Sequence, residues 1–220
     1  DWSWQKGAVE NTIQSIKDNQ QKNVGLIVPT GGGKTTIASK VIYELLKNNA
    51  HKKCLWVAHR QFLISQARHA FSRVLLEENL THQEKRTYLD RVTYSMKDNA
   101  SANATEYAKT HDLLIIDEAH RAGAMTYQPL LNSNGFTGLF LTATPNRNDG
   151  RPIGIDQIAY QITPKKLFEA GCIIEPDLEV YEPWDGYSLF QNDETISKFA
   201  DDVISNLSER FNKNLICCNQ

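Results

Sequence analysis

The sequence predicts an α/β fold, with a mostly parallel central sheet flanked by helices. Three observations carry that expectation. Short apolar runs alternate with longer stretches whose apolar residues recur at helical spacing, the pattern of strand–helix–strand units. The run at residues 24–28 opens directly onto the glycine-rich turn Pro29-Thr30-Gly31-Gly32-Gly33, and a helical stretch follows at once. Leu113-Leu114-Ile115-Ile116 is apolar at every position, as a strand covered on both faces must be, and it stops at two acids, Asp117 and Glu118.

Taken in order, residues 4–17 read as a leading helix, because Trp4, Ala8, Val9, Ile13 and Ile16 fall on one face. Residues 24–28 form a buried strand. A second helix over 34–46 turns Ile37, Val41 and Leu45 inward. Residues 54–58 give the next strand and 61–78 the next helix. The stretch 79–110 is polar and yields one short strand at Arg91-Val92-Thr93-Tyr94; its Asn/Ala/Ser/Thr segment at 99–105 shows no clear period. Strands at 113–116 and 138–141 follow, and the polar turn Asn146-Arg147-Asn148-Asp149-Gly150 closes this block. Residues 158–178 remain structured, with a short helix at 164–170 that ends at Gly171.

Composition limits the classes of function. With 40% hydrophobic and 23% charged residues, the chain is that of an ordinary globular protein. The apolar runs are strand-length, too short to span a bilayer, so no membrane partner is expected. No charged-then-apolar secretory signal opens the chain, and an intracellular setting is expected, cytoplasmic or at the nucleoid or nucleus. A net charge of −2 gives no overall basic field, so any nucleic-acid contact must rest on a local patch. Cys54, Cys172, Cys217 and Cys218 contain no CxxC spacing, which argues against a disulfide framework and a zinc site and leaves reduced, buried thiols as the expectation.

The glycine turn has the layout that a phosphate chain requires. Glycines let backbone N–H groups converge on an anion without a Cβ in the way, and the helix start adds its partial positive charge. Residues Pro29, Thr30, Gly31, Gly32, Gly33, Lys34, Thr35 and Thr36 are therefore expected to wrap ATP. Lys34 would reach the β- and γ-phosphates, and the Thr35 hydroxyl would bind Mg²⁺.

Asp117-Glu118-Ala119-His120 ends a buried strand, and ligands of open parallel sheets bind off the carboxyl ends of the strands. The acidic box and the glycine loop should therefore face each other. Asp117 is placed to hold hydrated Mg²⁺ opposite Thr35. Glu118 is placed to act as general base for the water that attacks the γ-phosphate, with Lys34 as its catalytic partner.

Together with Leu141-Thr142-Ala143-Thr144-Pro145, the loop and the box occur in the order and spacing of superfamily 2 helicases and translocases. The chain resembles the first RecA-like domain of that family, a P-loop NTPase. It is most similar to the branch with type I and type III restriction translocases and DEAH-type repair helicases. The strict loop pattern has glycine where Val28 stands; Pro29-Thr30-Gly31 matches the helicase form instead. The resemblance implies that Gln5 reads the adenine edge, and that His59, Arg60 and Thr93 contact nucleic acid. It also implies that His120, Thr142 and Thr144 couple hydrolysis to movement. DNA is expected as the track ahead of RNA.

The same resemblance implies a domain division. Residues 1–180 would be the helicase ATP-binding domain, 181–194 a linker, and 195–220 the truncated start of a second RecA-like domain, with a helix at 196–211 and a strand at 214–218. In the family that second domain, in cis or in trans, supplies arginines that neutralise the γ-phosphate. The chain starts at Asp1 and shows no arginine-bearing motif after residue 196, so a fragment of low activity is expected. Two alternatives remain open from the residues: the translocase subunit of a restriction complex, and a non-catalytic, nucleotide-dependent binding module that needs a partner carrying domain 2.

Overall fold

The computed structural model describes residues 2–18, 23–121, 127–144 and 154–174. The expected linker at 181–194, the helix and strand at 196–218, the turn at 146–150, Cys217 and Cys218 lie outside the described residues.

Helix α1 (Trp4–Asp18) leads into β1 (Asn23–Ile27), and the glycine loop then passes into α2 (Lys34–Lys47). Next come β2 (Cys54–Ala58), α3 (Gln61–Glu77), α4 (His82–Leu89) and β3 (Val92–Met96). Two short helices, α5 (Lys97–Ala102) and α6 (Ala104–Thr110), precede β4 (Leu113–Ile116). A single 3₁₀ turn at Ala119–Arg121, then α7 (Gln128–Leu131), β5 (Thr137–Thr142), β6 (Gln157–Gln161) and α8 (Pro164–Glu169) complete the described chain.

The strands form one sheet in the order β3-β2-β4-β5-β1-β6, and every described pairing is parallel. This explains the continuous apolar runs. Alternate residues of each strand enter different cores: Cys54, Trp56, Leu113, Ile115, Leu139 and Leu141 pack on the face covered by α1, α2 and α3. Leu55, Val57, Leu114, Ile116 and Phe140 pack on the other face with Ala100, Ala104 and Leu130 of α5, α6 and α7. A strand buried on both sides has no polar position in its middle.

The elements read from periodicity are present with small shifts of boundary. The stretch 79–110 is mostly helical, contrary to its loop-like composition. Its first helix is set by a capping box: the Thr81 side chain accepts from the Glu84 amide, and the Glu84 carboxylate accepts from the Thr81 amide. α5 and α6 form because Ala100 and Ala104 bury against the sheet, which a weak local propensity does not announce. β3 extends to Met96, beyond the expected Tyr94. Arg91 instead stays outside the strand and ties down the end of α2 and the loop before β2, donating to the carbonyls of Lys52, Leu46 and Asn49. Gly171, at φ 68, ends α8 as expected.

Of the cysteines, Cys54 is buried and desolvation pushes its thiol up to about 12, which leaves it inert. Cys172 corrects the expectation of burial: it is only half-buried, on the short segment after α8.

Candidate nucleotide site

The site is assembled at the carboxyl ends of β1, β4 and β5, which lie side by side. The Val28 amide donates to the Thr142 carbonyl at 3.0 Å, so the start of the glycine loop is bound to the end of β5. On the far side of β5, β4 delivers Asp117 and Glu118. Strand order alone therefore gathers three segments that are distant in sequence.

Local backbone chemistry shapes the loop. Gly31 and Gly33 have φ of 84° and 81°, the left-handed region where a side chain would be strained. At Gly32 a Cβ would meet Val28 Cγ1 at 2.5 Å and Leu167 Cδ1 at 2.9 Å, so the turn is packed tightly from below. Pro29 is buried, Thr30 and Gly31 are exposed, and Thr35 and Thr36 are half-buried. The Thr35 carbonyl accepts from Ser39 Oγ at 2.7 Å, as part of α2.

Lys34, the first residue of α2, is 8% exposed, and its Nζ stands 3.9 Å from Glu118 Oε1. Glu118 has φ 54, the one positive φ outside glycine among the described residues. That conformation is uncommon for glutamate and is a mark of local strain. It turns the chain sharply after β4 and leaves the carboxylate between two partners, because Glu118 Oε2 is also 3.3 Å from His120 Nδ1. His120 Nδ1 in turn is 3.5 Å from Thr142 Oγ1. The Thr142 hydroxyl donates to the Thr144 carbonyl at 2.8 Å and accepts from the Thr144 amide at 3.2 Å. With that hydroxyl proton committed, the arrangement assigns a proton to His120 Nδ1. Lys34, Glu118, His120, Thr142 and Thr144 thus make one polar chain across three strand ends.

Asp117 is 3% exposed, and its Oδ1 accepts from the Glu118 amide at 2.9 Å. Burial and, after it, the Glu118 charge push its carboxyl up to about 6 against the opposing Lys34 charge. A desolvated carboxylate facing a lysine suits a hard cation. Asp117 and Thr35 offer oxygen donors of the kind Mg²⁺ takes, with phosphate and water left to complete its shell. Among the described residues, no group of three or more His, Cys, Asp or Glu could hold a metal by itself.

Gln5 lies against the loop, with Nε2 donating to the Gly32 carbonyl at 3.4 Å. Sequence reasoning missed its companion Trp2, whose ring is 3.8 Å from where a Gly33 side chain would project. The neighbouring pair Trp2 and Trp4 was the available signal. A cavity of about 540 Å³ opens beside Trp2 and Gln5, reaching Val9, Lys40 and Tyr43, a volume in the range of small-molecule pockets.

The residues expected to touch nucleic acid separate into two groups. His59, half-buried, and Arg60, exposed, leave β2 at the same sheet edge as Asp117. Thr93 lies elsewhere along the sheet. It is the second residue of β3, paired with Leu55 near the amino end of β2, and its hydroxyl is held at 2.8 Å by His111 Nε2. Three further strand residues, about 10 Å, separate it from the carboxyl edge.

Comparison with known proteins adds four likenesses. A family model described as "ResIII: Type III restriction enzyme, res subunit" matches residues 2–147. "Putative helicase 22" of Sulfolobus islandicus filamentous virus is 31% identical over 160 residues, covering 66% of this chain and 29% of that protein. The type I restriction enzyme EcoAI endonuclease subunit of Escherichia coli is 28% identical over 154 residues, covering 64% of this chain and 19% of the relative. The chain thus spans less than a third of either relative. In fold, it superposes on a nuclease-deletion mutant of the type ISP restriction-modification enzyme LlaGI, bound to a DNA substrate mimic, with TM-score 0.60 and 15% identity. That likeness covers 96% of this chain and 23% of the other. No helix among the described residues is long and apolar enough to cross a membrane.

Proposed function

The chain belongs to the ResIII family, and from that premise we propose that it is the ATP-binding motor domain of a nucleic-acid helicase or translocase. The observation that carries this reading is the meeting of Lys34 Nζ and Glu118 Oε1 at 3.9 Å, from opposite sides of β5.

In this reading the loop from Pro29 to Thr36 wraps the phosphates of ATP, and Lys34 binds the β- and γ-phosphates. Mg²⁺, held by Asp117 and Thr35, would neutralise phosphate charge there. Glu118 takes the proton from the attacking water, and Gln5 binds the adenine edge beside Trp2. His120, Thr142 and Thr144 couple the state of Glu118 to the end of β5, and so to the surface where Arg60 and His59 meet the track. DNA is favoured over RNA because the relatives include DNA restriction enzymes. A DNA track implies an intracellular setting, cytoplasmic or at the nucleoid or nucleus. A second RecA-like domain, in cis or in trans, completes hydrolysis.

The family description favours one second reading, the translocase part of a restriction complex. The acidic box and Lys34 argue against a non-catalytic binding module, since such a module needs no general base.

The test is phosphate release by this chain and by a two-domain extension, with and without single- and double-stranded DNA and RNA. Glu118→Gln should keep ATP binding and lose about 10²-fold or more of turnover, the scale of a general base. Hydrolysis at the parent rate by that variant would remove Glu118 from the role.

A further inference from the structure

Phe62 is 73% exposed, the most exposed aromatic ring among the described residues. It is the second residue of α3, and two positions earlier stands Arg60, at the carboxyl edge of β2 beside the nucleotide site. Two residues of chain span about 7 Å at most. The backbone positions of Arg60 and Phe62 therefore lie within the span of a single nucleotide step.

The helix that carries the ring suits a polyanion over most of its length. Its residues 61–76 include His69, Arg73 and Arg68, the last lying over the Tyr94 ring, and no carboxylate before Glu77 at its far end. Phe62, Gln66, His69 and Arg73 follow at intervals of four, three and four, so they share one face of α3, and each is exposed. The acid at the neighbouring end of β3, Asp98, is paired with Lys97 at 2.9 Å. The buried face of the helix uses Ile64, Ala67, Phe71, Val74 and Leu75, so Phe62 contributes nothing to the core.

We propose that Phe62 stacks on an unpaired base of a nucleic-acid strand whose phosphate is held by Arg60. This rests on the motor reading above and narrows it to a single-stranded track. Every base has a π-face, so such a contact tolerates any sequence. Bases inside a duplex are already stacked on each other and offer the ring no face. Backbone contacts such as that of Arg60 do not distinguish the two forms, whereas Phe62 does.

The experiment measures binding of the 220-residue chain to single- and double-stranded oligodeoxynucleotides, and to a single-stranded RNA, each carrying 2-aminopurine. The base fluorescence reports stacking, and anisotropy reports affinity. Phe62→Ala should weaken single-strand binding about tenfold, the scale of one base–aromatic stack, and abolish the quenching. Phe62→Tyr should restore both. Duplex affinity should stay at the parent value in either variant, and their melting temperatures should match the parent because the ring is outside the core. If Phe62→Ala binds single strands like the parent while Arg60→Ala weakens both forms, the stack is overturned and the motor reading stands. Equal weakening of single- and double-strand binding by Phe62→Ala also overturns it. If the parent chain binds no nucleic acid, the track reading falls and this inference falls with it.

Discussion

Asp117 and Glu118 are adjacent, yet the fold gives them opposite environments. Glu118 is partly exposed and reaches two partners through a left-handed backbone. Asp117 is buried with its carboxyl pushed up to about 6 by desolvation. The sign of the pH effect follows. The folded chain holds this proton more tightly than the unfolded chain, whose carboxyl titrates near 3.9. The contribution of Asp117 to metal-free stability is therefore fully present below about pH 4, declines as pH rises from about 4 to about 6, and is level above that. The difference between the two states corresponds to about 3 kcal/mol as an upper bound. Asp117→Asn should remove this slope. In urea titrations without Mg²⁺, the variant should exceed the parent at pH 7.5, and the gap should close toward pH 4. The same variant should lose Mg²⁺-dependent nucleotide binding.

The pairing of an acidic strand end with a glycine loop was legible at this scale, because the residue types are the chemistry. The conformation of Glu118 was not legible. Nothing in the order Asp-Glu-Ala-His announces a positive φ, which arises from joining β4 to the 3₁₀ turn that contains His120.

At the scale of elements, glycines separate into those the fold needs and those it tolerates. Gly32 has no room for a Cβ, so Gly32→Ala should crowd Val28 and Leu167, cost about 1–3 kcal/mol in thermal or urea unfolding, and abolish ATP binding. Gly7 lies inside α1 with nothing within 4 Å of the place a methyl would take, so Gly7→Ala should stabilise by about 0.5–1 kcal/mol. An opposite sign at either position in a denaturation series would refute the packing described for it. In α4, Thr81→Ala removes the capping box and should cost about 1 kcal/mol by the same measurement. Thr81 and Glu84 stand three apart in the sequence, so this helix start was readable and was missed. α5 and α6 were not readable in that way. Their short alanine-bearing segments become helical by burial against β2, β3 and α7, which is a tertiary effect.

At the scale of the molecule, the sheet order decides which residues meet. β5 lies between β1 and β4, so Thr142 stands between the loop and the box and can transmit a change from one to the other. The 220-residue chain should hydrolyse ATP about 10³-fold or more below a two-domain extension, the worth of an arginine supplied by a second domain. Phosphate-release rates of the two proteins at matched ATP would check this. Equal rates would mean that the site is complete without that domain.

What the sequence determined by itself was the class of fold and the chemistry of the nucleotide site. Both are local: fully apolar strands need two covered faces, and a Gly-rich turn before Lys34 and Thr35 has its anion-binding groups in one short segment. What only the tertiary structure decided was proximity and edge. Lys34 reaches Glu118 because two parallel strands flank a third, and Arg60 joins that edge because β2 ends there. Thr93 stays behind, near the amino end of β3 and held by His111, and its segment lacks the glutamine common in the motif it resembles. Periodicity tells which face of a strand a residue occupies. Only the register of the assembled sheet tells how far along the strand it lies.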